Sequence, residues 1–86
     1  LNRAIALAMV EGTTAGIRAL EALGRQRALA RYHLLPAALG ALWRRAGVPG
    51  TAARYYRAAL ALPVSSPERR FLLRRLGECE AEPASR

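Results

Sequence analysis

LGALWRRAGVPGTAARYYRAAL, residues 39–60, is the stretch whose reading decides the fold. Leu39, Gly40 and Trp43 fall on one side of a helix, Gly47 interrupts it, and Ala52, Tyr56, Ala59 and Leu60 recur on one side of a second helix. Recurrence at three and four residues is the helical period. The alternation of small and bulky residues also carries meaning. Two helices that cross closely need a small side chain where they approach and a bulky one where a groove must be filled. Gly40 and Ala52 are the expected close points, and Trp43 and Tyr56 the expected fillers. GVPG (47–50) is the turn between them.

Working outward, breakers divide the rest of the chain into similar pieces. A first helix is expected over residues 1–11, closed by Gly12 in a left-handed cap, with Thr13 or Thr14 capping a second over about 14–23 that buries Ile17, Leu20 and Leu23. The third begins within RYHLLP (31–36) and reaches Ala46, with Leu34, Leu35, Ala38, Leu39, Leu42 and Trp43 on its apolar stripe. The fourth covers about 51–62 and stops at Pro63. Ser65 or Ser66 caps the fifth, in which SSPERRFLL (65–73) puts proline and glutamate in the first turn, where both are favoured. That helix is expected to reach about Cys79, and the tail EAEPASR (80–86) to fray, so residues 1–79 form the domain. Leu1, Ile5, Leu7, Met9 and Val10 point in several directions around the first helix, which therefore wants cover from its neighbours or from a preceding region.

Gly12 and Gly47 mark equivalent turns 35 residues apart. Helix, turn, helix, repeated at that spacing, resembles the tetratricopeptide unit, and within the second unit the agreement extends to Leu39, Gly40, Trp43, Gly47, Ala52, Tyr56, Ala59 and Leu60. The first unit departs from it: its second helix has no aromatic residue, and Pro63 of the second unit comes one position early. The fold class expected is all-α, with about five helices as antiparallel helix-turn-helix repeats in a right-handed superhelical stack. The scattered β-branched residues never alternate over several positions, so no strand is expected.

Composition narrows function less than it narrows fold. The chain has 86 residues and a net charge of +8; all 14 basic residues are arginine and all 6 acidic ones glutamate. An excess of that size suggests an anionic partner, although an arginine-rich codon bias produces the same sign. The single cysteine, Cys79, forms no disulfide framework or metal-ligand spacing, and a reducing cytoplasm fits. No apolar stretch is long enough to span a membrane and no signal peptide is visible. The chain opens at Leu1, which reads as a trimmed piece of a longer protein.

The candidate functional residues are few. His33 stands beside Tyr32 and shortly before Pro36, but catalysis or metal binding requires a partner group and no glutamate is near in sequence. Pro36 more simply occupies the first turn of a helix, with Tyr32 and His33 leading into it. No catalytic residue, cofactor or metal is therefore expected, and Cys79 reads as a small core filler. Tyr56 takes the repeat position, leaving Tyr55 for a groove or solvent. Phe71 lies off the Leu72, Leu76, Cys79 stripe. Tyr55 and Phe71, with Arg54, Arg57, Arg70 and Arg74, form the candidate interaction surface. The arginine pairs, including Arg44-Arg45, Arg69-Arg70 and Arg74-Arg75, suit bidentate phosphate contact, yet the same pattern describes a solvated face or pairs with the chain's own glutamates.

LNRAIALAMVEG, AGIRALEAL, YHLLPAALGALWRRAG, AARYYRAALAL and PERRFLLRRL, in this order and spacing, resemble the C-terminal extension of a group of bacterial extracytoplasmic-function RNA polymerase sigma factors. The resemblance covers nearly the whole chain. It implies a tetratricopeptide-like domain behind two promoter-recognising regions. The implied partners are those upstream sigma regions and RNA polymerase, with promoter DNA touched only through the missing regions and the domain modulating transcription by protein contact. Self-association through uncovered ends is a further expectation. The alternative is a basic helical module that binds nucleic acid directly through its arginine faces.

Overall fold

A computed structural model describes residues 2–26, 29 and 31–82, and among them every regular element is a helix. They are α1 (Asn2–Glu11), α2 (Thr13–Gly24), α3 (Leu34–Arg45), α4 (Pro49–Leu60) and α5 (Ser66–Ala81). Each helix packs on the next in chain order. The all-α class is as expected, and packing in chain order is consistent with, though it does not by itself establish, a tetratricopeptide-like superhelical stack.

Local chemistry sets the boundaries, and several differ from the sequence expectation. One residue, Gly12, joins α1 to α2, with φ +104° and ψ 161°. The positive φ requires glycine, but the ψ is extended and not that of a left-handed cap. Gly12 itself is the N-cap of α2, without a side-chain cap bond, and both Thr13 and Thr14 lie inside the helix. So short a link leaves no room for a threonine cap. Gly47, with φ +83°, closes the turn after α3.

α4 starts two residues before the expected Thr51, because Pro49 is preset for the first helical turn. It ends at Leu60, since Leu62 precedes Pro63 and is disfavoured from helical geometry. α5 is held by a reciprocal cap: Ser65 Oγ accepts from the Glu68 N–H at 3.2 Å, and the Glu68 carboxylate accepts from the Ser65 N–H at 2.9 Å. The helix continues past the expected end at Cys79 to Ala81, where Glu80 and Glu82 find arginine partners on α4 and α3. Residues 83–86 of the expected tail lie outside the described residues.

Two hydrophobic clusters form the interior. The first joins Ala4 and Ala8 of α1, Ile17 and Leu20 of α2, and Leu35, Leu39 and Leu42 of α3. The second joins Ala52, Ala53, Tyr56 and Ala59 of α4 to Leu72 and Cys79 of α5. Trp43 packs against both. Its indole Nε1 is buried with no acceptor among the described residues.

The close approaches explain the small residues. A Cβ on Gly40 would stand 3.0 Å from the Tyr56 ring, so the glycine is the seat of that aromatic side chain. A Cβ on Gly16 would overlap that of Ala8, so α1 and α2 touch backbone to backbone. The buried side of α1 is accordingly alanine, and Met9 and Val10 are 65% and 83% exposed.

Candidate interaction groove between α3 and α5

α3 and α5 flank α4 and run parallel, as their polar contacts show. At their N-terminal ends His33 Nε2 and Glu68 Oε2 are 2.8 Å apart. At their C-terminal ends Arg44 donates to Glu82 at 2.7 Å and to Glu78 at 3.1 Å. Arg75 donates to the same Glu78 oxygen at 2.7 Å. Glu68, Phe71, Arg75, Glu78 and Glu82 recur at intervals of three and four along α5, and so make one helical row turned toward α3. Opposite stands the α3 row of His33, Ala37, Ala41 and Arg44. Tyr56, 2% exposed and seated on Gly40, lies in α4 between them. A cleft of about 340 Å³ opens there, lined by Ala41, Arg44, Arg45, Tyr56, Arg75 and Glu82.

The electrostatics follow from these contacts. Glu68 is held below its ordinary value, first by the Ser65 backbone N–H, then by the Ser65 side chain and His33. Glu78 is lowered by the hydrogen bond from Arg75. Glu82 raises Arg44. Burial raises both the Tyr56 phenol and the Cys79 thiol. Every one of these carboxylates serves a bond within the fold, and the arrangement fastens α3 to α5 at both ends.

His33 therefore does have a carboxylate partner, which local reading missed because it is 35 residues away. That separation equals the spacing of Gly12 and Gly47. Arg44 and Glu78 are 34 apart, and Arg45, whose guanidinium reaches Met9 Sδ at 2.9 Å, is 36 from it. Residues one repeat apart become neighbours when repeats stack, so the period was the usable signal. Tyr32 stands edge-on to its ring at 5.9 Å, and His33 occupies the N-cap position of α3 without a side-chain cap bond.

The six residues of the candidate interaction surface have different surroundings. Phe71, 45% exposed, lies under the Arg75 guanidinium, 5.0 Å from the ring centroid. Tyr55 lines a separate cleft of about 330 Å³ with Leu35, Pro36, Leu39, Ala58 and Leu62. Arg57 is paired with Glu80 at 2.7 Å. Arg54, Arg70 and Arg74 are exposed and make no ion pair among the described residues, as do Arg69 on α5 and Arg3, Arg18 and Arg25 near α1 and α2. The arginine faces thus divide into internal fasteners and outward charge. No group of three His, Cys, Asp or Glu among the described residues could hold a metal ion, and no described helix is long and apolar enough to cross a membrane. Comparison with family models, with curated proteins and with solved structures finds no match for this chain.

Proposed function

We propose that the chain is a non-catalytic helical-repeat domain that works by protein contact, and that its intact protein is an alternative sigma factor of the extracytoplasmic-function type, acting in the cytoplasm. The observation that carries the contact reading is the α3–α5 groove. Its walls are tied internally, Arg75 to Glu78 and Arg44 to Glu78 and Glu82, while Ala41 in the cleft and Phe71 on the neighbouring stretch of α5 are exposed. A polar-edged groove beside an exposed aromatic ring is a surface suited to recognition. The sigma-factor part of the reading rests on the ordered sequence blocks. Under it, the domain modulates polymerase through the upstream regions and leaves promoter contact to them. Deleting residues 1–79 from the intact protein should change transcription from its promoters in a reconstituted assay; unchanged output overturns the reading.

Direct nucleic-acid binding is the second reading, favoured by the exposed arginines that no described carboxylate engages. A titration of duplex DNA at several salt concentrations separates the two. Phosphate contact predicts an affinity that falls steeply with ionic strength. Absence of binding at low salt removes this second reading.

A further inference from the structure

We propose that the groove between α1 and α2 is a homodimerisation surface, on which α1 of a second copy lies antiparallel to α1 of the first about a two-fold axis near Leu7. The groove encloses about 780 Å³, and its apolar lining includes Ala6, Leu7, Val10, Ala22 and Leu23. Arg3 and Glu11 also line it, on either side of Leu7 in sequence. Neither makes an ion pair among the described residues.

The occupant is argued from this arrangement. Leu7 is four residues from Arg3 and four from Glu11. An antiparallel α1 centred on Leu7 sets Arg3 of each copy against Glu11 of the other, so both charges are paired by one symmetry operation. The same register turns Val10 of each copy toward α1 of the other, whose groove-lining positions include the exposed Ala6. Val10 is 83% exposed in the single chain, and the alanines beside it leave the depth it would fill. A parallel pairing fails the charge test, because it brings arginine against arginine and glutamate against glutamate. An isologous pair also closes on itself, which a head-to-tail contact through the same groove does not. α1 is about 15 Å long at ~1.5 Å per residue, so the interface falls below the usual ~800 Å² per partner and the dissociation constant should be on the order of 10–100 μM.

Sedimentation of the 86-residue chain at physiological ionic strength should show the 9.3 kDa species passing to one of twice that mass across this concentration range. Val10→Glu alters an exposed side chain and should weaken association at least tenfold. Arg3→Glu and Glu11→Arg should each abolish it, whereas their equimolar mixture restores a heterodimer, since one chain then carries two acids and the other two bases. These exchanges place acid in the first turn of α1 and base in its last, which favours the helix itself, so lost association is not lost folding. Circular dichroism checks that point. A parent chain that stays monomeric, a dimer indifferent to Val10→Glu, or a mixture that fails to associate overturns the proposal. Constant monomer mass would leave the groove to a different partner.

Discussion

Gly16→Ala and Gly77→Ala make the same chemical change in two helix interiors, and the fold predicts opposite signs. Either substitution gains about 1 kcal/mol, through helix propensity and the reduced freedom of the unfolded chain. At Gly77 nothing lies within 4 Å of the new methyl, so the gain is kept. At Gly16 the methyl would overlap Ala8 Cβ and stand 3.1 Å from Ala8 Cα and 3.0 Å from Leu42 Cδ1. The leucine can turn aside. The backbone of α1 moves only if the whole helix lifts from α2, and that helix carries Ala4 and Ala8 into the first cluster. Overpacking costs about 1–3 kcal/mol, and a backbone obstacle selects the upper end. Subtracting the propensity gain leaves Gly16→Ala destabilised by about 2 kcal/mol. In a domain of this size ~1 kcal/mol moves Tm by roughly 4–8 °C. Thermal unfolding followed by circular dichroism should therefore show Gly77→Ala raised by about that much and Gly16→Ala lowered by about twice it. A Gly16→Ala protein as stable as its parent would refute the close α1–α2 contact.

Ser65→Ala removes the side-chain half of the α5 cap and should lower stability by about 1 kcal/mol, read as a shifted urea midpoint. Glu68 and Glu78 both have folded-state values below the ordinary 4.5. Their stabilisation is therefore complete above the unfolded-state value and is lost as pH falls through the folded ones, so urea midpoints should decline below about pH 4.5, less steeply in Glu68→Gln. A decline unchanged in that variant would count against the Ser65–Glu68–His33 arrangement. Trp43→Ala should cost about 3–5 kcal/mol, because it opens both clusters at once, and should broaden the unfolding transition. The Cys79 thiol, buried and raised by that burial, should react with a thiol reagent only as fast as the chain opens; immediate stoichiometric labelling of the native protein would contradict its place in the second cluster.

Helix number and order are legible because glycine and proline punctuate this chain wherever the apolar period breaks. Boundaries are less so, and the reasons are local. Thr13 and Thr14 have the chemistry of caps, but a one-residue connection puts Gly12 in the capping position. α1 was harder, since a large apolar residue signals burial while close helix contact selects alanine. Ala4 and Ala8 are buried, and Val10 is outside. Of the groove, the repeat residues were readable from the alternation of small and large. The polar ties were not, because His33, Arg44 and their glutamates lie one repeat apart and no window of a dozen residues holds both partners. Nothing in one dimension shows that the Trp43 indole N–H finds no acceptor among the described residues, since that depends on two clusters meeting around it.

A chain of this length is marginal for a single core, and here the interior is divided between two small clusters. Division makes Trp43, which packs against both clusters, a link between them, together with Tyr55 of α4 against the first cluster and the Tyr56 ring on Gly40 of α3. The contacts between α3 and α5 are of another kind. Arg44, Glu78 and Glu82 each keep about a third of their side-chain surface in solvent, at 34%, 36% and 33% exposure. Ion pairs that wet contribute little each, so they set orientation more than stability. The two roles are therefore separated in space: burial in the two clusters keeps the helices together, while exchangeable polar ties fix how α5 faces α3. Phe71 lies between those ties on the α5 row. A side chain laid on that ring would meet the Arg75 guanidinium, 5.0 Å from the ring centroid, and through it Glu78, without touching the buried members of either cluster.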